Sequence, residues 1–257
     1  MQPLRGGLAP LTLASGKPFA PSDLANLALW LKADALSLND GDAVSSWTDS
    51  SGANRHATAT TTARPTYKSN IVNSKPVLRF NGTSNYMVTP AVFAADTQYT
   101  VFIVSKAIGS SLNAGGRAIA TIRPAAGAVN GYWHHLYRND IANNARILTT
   151  SNGNAANIVV QTPSTSYPFD AFIVTSYVFG TNGTWWINNA QKSQALSITT
   201  QTNANAVMWL GKYFDTTNAY WLSGDIAEVI VYGTALSDGG RGSVQTYLAT
   251  KYGITLA

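Results

Sequence analysis

Cysteine is absent from the 257-residue chain, which excludes a disulfide framework, a thiolate nucleophile and any zinc site built on sulfur. The redox compartment is left open by this. Glutamate occurs once, at Glu228, and charged residues make up only 11% of the chain, against roughly 25% in ordinary globular proteins. Long solvent-facing helices need Glu, Lys and Arg on their outer face, so an all-α fold is excluded. No stretch approaches the roughly 18 apolar residues that a membrane-crossing helix requires. Lys and Arg number 17 against 12 Asp and Glu, a formal charge of +5, yet the bases never run even three together. Basicity this dilute makes no nucleic-acid stripe, and aromatic rings without a basic groove are only half of a single-strand signal. Sugar rings are the expected partners for exposed aromatics.

What the chain does have is Ser, Thr and Asn in abundance, together over a quarter of its residues, beside 45% apolar residues. Its length suffices to bury about 70 to 75% of the unfolded surface. Met1 to Pro21 carries Pro3, Gly6, Gly7, Pro10, Gly16, Pro18 and Pro21, a density that breaks helices and strand ladders, and reads as an extended arm. This segment has no sustained apolar block, so no secretory signal is expected in it. From Ser22, expected to cap a short turn, the pattern changes, and one domain spans 22–257. Apolar alternation recurs between Asn, Gly, Ser and Asp turns. It predicts strands at Val77–Phe80, Tyr86–Val88, Tyr99–Ser105, Ala118–Ile122, Gly131–Tyr137, Arg146–Thr149, Asn157–Gln161, Phe169–Phe179, Trp185–Ile187, Val207–Leu210 and Asp225–Tyr232. A dozen short strands without helical periods between them point to an all-β antiparallel sandwich. One helix is expected near the C-terminus, with Ser237 as N-cap, Val244, Tyr247 and Leu248 as its apolar stripe and Gly253 as its end.

Specific stretches resemble LamG-like jelly-roll domains of the concanavalin A-like lectin/glucanase superfamily. At the start these are Leu29-Trp30-Leu31-Lys32-Ala33-Asp34, Trp47-Thr48-Asp49-Ser50-Ser51-Gly52 with Asn54 and His56, Pro65, and Pro76 to Gly82 (PVLRFNG). At the end they are Leu222 to Tyr232 (LSGDIAEVIVY), Ala235-Leu236-Ser237 and the helix to Lys251-Tyr252-Gly253-Ile254. The resemblance covers about Leu24 to Ile254 and is least specific in the middle. It implies two curved antiparallel sheets, with glycans and sometimes calcium held at the rim. The superfamily includes adhesins, glycan-binding modules, protein binders and, in one branch, glycoside hydrolases, so the fold does not settle function.

That hydrolase branch places two Glu and an Asp at alternating positions on one strand, and glycoside hydrolysis usually needs two flanking carboxyl groups. Here Glu228 has no second Glu, and Asp225, three residues away on an extended strand, is expected on the opposite face. Only an Asp pair gathered from distant loops would leave a hydrolase open, and no enzyme activity is expected. His134 and His135 are neighbours on a strand and so cannot chelate one metal by themselves, while His56 reads as structural. No nucleophile-elbow, P-loop or dinucleotide pattern occurs. For the calcium that lectin-like folds sometimes hold, Asp40, Asp42 and Asp49 are the candidate ligands, against the alternative of Asx turns that satisfy their own backbone. The Asn-x-Thr matches at Asn81 and Asn182 read as turns rather than glycosylation sites.

Candidate ligand-binding residues are the flat rings and polar groups that suit a sugar. Trp133, His135 and Tyr137 share one face of their strand, and either that face or the one bearing Tyr132, His134, Leu136 and Arg138 lines the core. Trp185 and Trp186 face opposite ways, so one is a candidate for exposure, and Ile187-Asn188-Asn189 after them looks like the hairpin turn of LamG-like domains. Tyr213, Tyr220 and Trp221 flank a polar loop, Asp215-Thr216-Thr217-Asn218, that forms a second rim site. The expected function is a non-enzymatic bacteriophage virion protein. Its lectin-like domain binds host-surface polysaccharide, and its arm attaches to other virion proteins of the tail or capsid. The alternatives are a capsid decoration protein without glycan specificity and a bacterial surface carbohydrate-binding module. Homo-oligomers suit symmetric virion positions, although no heptads specify a trimer.

Overall fold

The alternation of apolar and polar residues is realised as two packed antiparallel sheets. The computed structural model describes residues 16–92, 98–108, 117–124, 133–138, 144–149, 158–162, 168–180, 183–194, 206–214 and 219–257, with backbone alone at 117, 123–124, 133–138, 144–149, 158–162, 193–194, 214 and 219. In chain order the strands are β1 (Leu27–Lys32), β2 (Ser46–Trp47), β3 (Ala57–Thr58), β4 (Thr66–Val72), β5 (Lys75–Asn81), β6 (Met87–Ala91), β7 (Tyr99–Ala107), β8 (Arg117–Pro124) and β9 (Trp133–Arg138). They continue as β10 (Asn144–Thr149), β11 (Ile158–Thr162), β12 (Ile173–Phe179), β13 (Gly183–Ile187), β14 (Ala190–Gln194), β15 (Ala206–Leu210), β16 (Lys212–Phe214), β17 (Ala219–Trp221) and β18 (Ser223–Tyr232), followed by helix α1 (Asp238–Tyr252). The expected all-β sandwich with one C-terminal helix is what the chain forms.

The first sheet runs β14-β13-β12-β7-β18-β5-β4, and the long β18 also pairs with β1 beyond the end of β5. The second runs β11-β10-β9-β8-β15-β6-β3-β2, and β16 and β17 form a separate hairpin. Alternation decides which side chains meet between the sheets. On β7, Tyr99, Val101, Ile103 and Ala107 face the central core, while Phe102 and Val104 join a second apolar layer. The core takes Trp47, Phe80, Met87, Ile122, Trp185 and Met208, all within 2% of full burial. Burying a large apolar side chain contributes roughly 1.5 to 3 kcal/mol.

The second layer lies between the outer face of the first sheet and α1, whose Val244, Leu248 and Tyr252 point inward. Ser237 caps the helix by accepting the Gly240 N–H at 3.3 Å, and Gly253, at φ 65°, ends it in the left-handed conformation that favours glycine. Phe19 and Pro21 also lie against this side. Phe19 packs edge-on to Tyr247 at 6.5 Å, and the Tyr232 hydroxyl donates to the Pro21 carbonyl at 2.8 Å. Residues 1–15 of the expected arm lie outside the described residues. The expected capping by Ser22 is not what forms: Ser22 lies inside a 3-10 turn at Pro21–Asp23 with Ala20 at its N-cap, where the Asp23 carboxylate accepts the Ala20 N–H at 2.7 Å.

Sheet edges are guarded, as unpaired strands would otherwise invite aggregation. Residues 41–44 run beside β4, with Gly41 and Val44 donating to Tyr67 and Pro65 and Asp42 accepting from Tyr67. The β13–β14 connection is the expected hairpin turn, with Asn188 and Asn189 at φ 47° and 67°, the conformation a tight type I′ turn requires. Asn81 likewise forms a turn, its side-chain oxygen accepting the N–H groups of Thr83, Ser84 and Asn85. No helix among the described residues is long and apolar enough to cross a membrane.

Candidate functional site

Residues of Leu29–Asp34, Leu222–Tyr232 and the C-terminal helix converge on the helix-covered side of the first sheet. Glu228 is fully buried there, and its carboxylate accepts from Trp30 Nε1 at 2.6 Å, Lys251 Nζ at 2.6 Å and the Tyr252 hydroxyl at 2.8 Å. Lys251 also reaches Asp34 at 2.9 Å, and Lys32 lies over the Trp30 ring at 4.0 Å. Burial, reinforced by the Glu228 charge, pushes the Tyr252 phenol far up, so it remains a hydrogen-bond donor at neutral pH. One carboxylate with three donors ties the first strand, the last strand and the helix together. This is a satisfied structural network with no open coordination.

The expectation that Asp225 and Glu228 face opposite ways is overturned by a bulge. Ile226 pairs with Ser105 and Glu228 with Val104, which leaves Ala227 as an extra residue opposite β7. In consequence Ile226 and Val229, three apart, both enter the central core, while Asp225 and Glu228 share the helix-covered side. Asp225 is fully buried and bound by Arg79 through two contacts, at 2.7 and 3.0 Å, with Lys106 at 3.5 Å. Both carboxylates are thus neutralised by cations from neighbouring elements.

The calcium candidates do not form a group: among the described residues no three His, Asp or Glu side chains come together as a metal site. Asp49 accepts the N–H groups of Trp30, Ser51 and Arg55 at 2.9 Å each and the Ser51 hydroxyl at 2.8 Å. Burial alone would raise its carboxyl, but the Arg55, Ser51 and Trp30 N–H groups outweigh that and hold it below the usual range. His56 completes this turn by accepting the Asp49 N–H at its Nδ1, at 3.0 Å. Asp40 pairs with Lys68 and the Ser69 N–H, and Asp42 accepts the Asn39 N–H at 2.7 Å. Asp49 therefore follows the Asx-turn alternative through the Ser51 N–H, and Asp42 is engaged by the backbone of Asn39 three residues before it, so backbone donors meet both carboxylates.

The aromatic candidates divide. Trp185 is fully buried in the central core, and Trp186 is covered by the Arg241 guanidinium at 4.2 Å, because α1 lies over that edge of the sheet. Neither offers an open ring, and Trp185 is withdrawn as a ligand-binding residue. On β9 the register sets Trp133 across from Ile122, His135 across from Ala120 and Tyr137 across from Arg117. Tyr213 and Tyr220 are cross-strand partners on the β16–β17 hairpin, stacked at 5.5 Å and packed against Ala118 of β8. Tyr220 is buried and Tyr213 half-buried.

The hairpin's other face carries Lys212 and Trp221, also direct cross-strand partners. They meet two residues that the sequence reading did not single out, Tyr86 and Trp209. Tyr86 stacks on Trp209 at 5.4 Å and lies 5.9 Å from Trp221. The Lys212 ammonium sits over all three rings, at 4.4 Å from Trp221, 4.5 Å from Tyr86 and 5.7 Å from Trp209. All four side chains are half-buried. The neighbouring backbone holds them rigidly. Gly211, at φ 80°, turns the chain from β15 into β16 so close to Phe80 that a Cβ there would lie 2.3 Å from the ring. The Tyr86 N–H donates to Ala63, and Leu222 donates to Gly211 at 2.9 Å. Rings of this kind, fixed and half-exposed around one cation, can stack on a sugar's apolar face and bond its polar groups.

No protein-family model matches the chain, and no curated protein matches it. Solved structures do. The receptor-binding domain of botulinum neurotoxin D aligns at a TM-score of 0.63 and 12% identity, over 89% of this chain and 54% of that one. A structure of the serotype D ligand-binding domain in complex with N-acetylneuraminic acid aligns at 0.60 and 13%, over 86% and 50%. Trypanosoma rangeli sialidase in complex with sialic acid aligns at 0.59 and 13%, over 94% and 35%. This chain thus spans about half of the toxin domains and a third of the sialidase. At such identities the likeness establishes the fold, an antiparallel β-sandwich.

Proposed function

We propose that the chain is a non-enzymatic, lectin-like module of the LamG-like kind, which binds polysaccharide at the Tyr86, Trp209, Lys212 and Trp221 cluster. The observation that carries this reading is the cluster itself: three half-buried rings from three separate elements, held around one cation at the surface. Support comes from the toxin ligand-binding domain, which shares this fold over half of its length and is in complex with N-acetylneuraminic acid. The engagement of the buried Asp225 and Glu228 by neighbouring cations favours binding over hydrolysis.

Display on a bacteriophage virion, attachment to other virion proteins through residues 1–21, and host-surface polysaccharide as the ligand belong to the same proposal. They are supported by the LamG-like signature and the Pro/Gly density of the arm. The test is titration of the purified protein against bacterial surface polysaccharides, with tryptophan fluorescence and calorimetry as readouts. Saturable binding lost in Trp221→Ala and Tyr86→Ala is expected. A blank panel would overturn the lectin reading and favour the shell-stabilising alternative. Removing residues 1–15, which spares the buried Phe19 and Pro21, should abolish particle attachment and leave saccharide binding intact.

A further inference from the structure

We infer that this site selects acidic saccharides, with Lys212 gripping a sugar carboxylate while the sugar ring lies against Trp221. The inference rests on the binding reading above and adds the ligand's chemical class.

Lys212 is the charged member of the described cluster, and it stands at the centre rather than at the margin. A lysine that grips an anion ordinarily loses much of its rotamer freedom on binding. Here Trp221, Tyr86 and Trp209 hold the ammonium by their negative ring faces, so that ordering is complete when the protein folds. An ammonium carries three N–H donors, and ring faces engage its charge without directed bonds. A carboxylate oxygen can therefore be added to whatever else the group meets. Lys212 and Trp221 are direct cross-strand partners, which places the charge within one sugar's width of a flat indole. A neutral sugar in the same position would leave the charge-assisted bond unmade, so the site discriminates by charge. The chain's net charge of +5 favours approach of an anionic polymer and makes it salt-dependent.

The test compares polygalacturonate, hyaluronate and polysialate with their methyl esters by titration calorimetry on the full chain. At least ten-fold weaker binding of the esters is expected. Lys212→Met should weaken binding of the acidic polymers at least ten-fold and abolish the difference between acid and ester, and Lys212→Arg should keep most of the preference. Equal binding of acids and esters by the wild-type protein, lost in Trp221→Ala, overturns the selectivity and leaves the binding reading standing. Failure of every polymer to bind overturns both. The comparison of acid with ester needs no variant, so a misfolded Lys212→Met cannot mask the outcome.

Discussion

The two outer faces of the sandwich use aromatic and charged residues in opposite ways. On the helix-covered side of the first sheet, Glu228 and Asp225 are fully buried and bound by donors and cations from other elements. On the second sheet's outer side, Tyr86, Trp209, Lys212 and Trp221 stay half-buried around one charge. A satisfied buried network holds a fold together, whereas a rigid cluster left at the surface can meet a ligand. The stretches near the two ends of the chain supply the scaffold: Trp30, Asp34, Glu228, Lys251 and Tyr252 meet in the first region, and Trp47, Leu78 and Phe80 in the central core. The candidate site lies outside those stretches.

The comparison breaks if the two regions respond alike to substitution. The largest effect is expected for Glu228→Ala, which leaves Trp30 Nε1 and the Tyr252 hydroxyl without their acceptor and Lys251 with Asp34 alone. Loss of one partner of a buried ion pair costs about 3 to 5 kcal/mol, read as a lower urea midpoint, while saccharide affinity of the folded fraction should not change. Gly211→Ala comes next, at about 1 to 3 kcal/mol, since its Cβ would meet Phe80 at 2.3 Å. Unlike the Glu228 change, it should weaken binding too, because Gly211 sets the chain's exit into Lys212.

Asp49→Asn gives a smaller effect with a pH signature. Donors from Arg55, Ser51 and Trp30 hold the folded carboxyl below its ordinary range despite burial. Its contribution is therefore fully present above the unfolded value of about 3.9 and is lost as pH falls through the lower folded value. The stability gap between wild type and Asp49→Asn should be full at neutral pH and close in strong acid, as measured by urea unfolding across pH. The smallest change in stability, about 1 to 2 kcal/mol, is expected for the half-buried Trp221→Ala. Its saccharide binding should nevertheless vanish, which would sharpen the distinction between scaffold and site.

Local rules made much of this legible. The strands at Val77–Phe80 and Tyr99–Ser105 are short apolar runs buried on both faces, Asn188-Asn189 forms its turn, and Ser237 and Gly253 bound the helix as capping chemistry dictates. Of the rim residues, Trp221 was legible as an aromatic beside a polar loop. Tyr86 and Trp209 were hidden inside strand patterns, where an outward ring and an inward one look the same. The irregular β4, with Asn70 at φ 54°, and the three-residue β16 and β17 lack the alternation that identifies a strand.

By itself the sequence determined the class of the fold, because charge poverty, period-two alternation and Asn/Gly turns act over a few residues at a time. Only the tertiary structure decided which faces those residues occupy. The bulge at Ala227 inverts the parity that an ideal strand would impose, and it exists because β18 must pair with β7. The Lys212 cluster likewise needs β15, the β16–β17 hairpin and the turn before β6 at once, across more than a hundred residues of chain between Tyr86 and Trp209. Contacts at that separation depend on how sheets stack, and no local pattern records them.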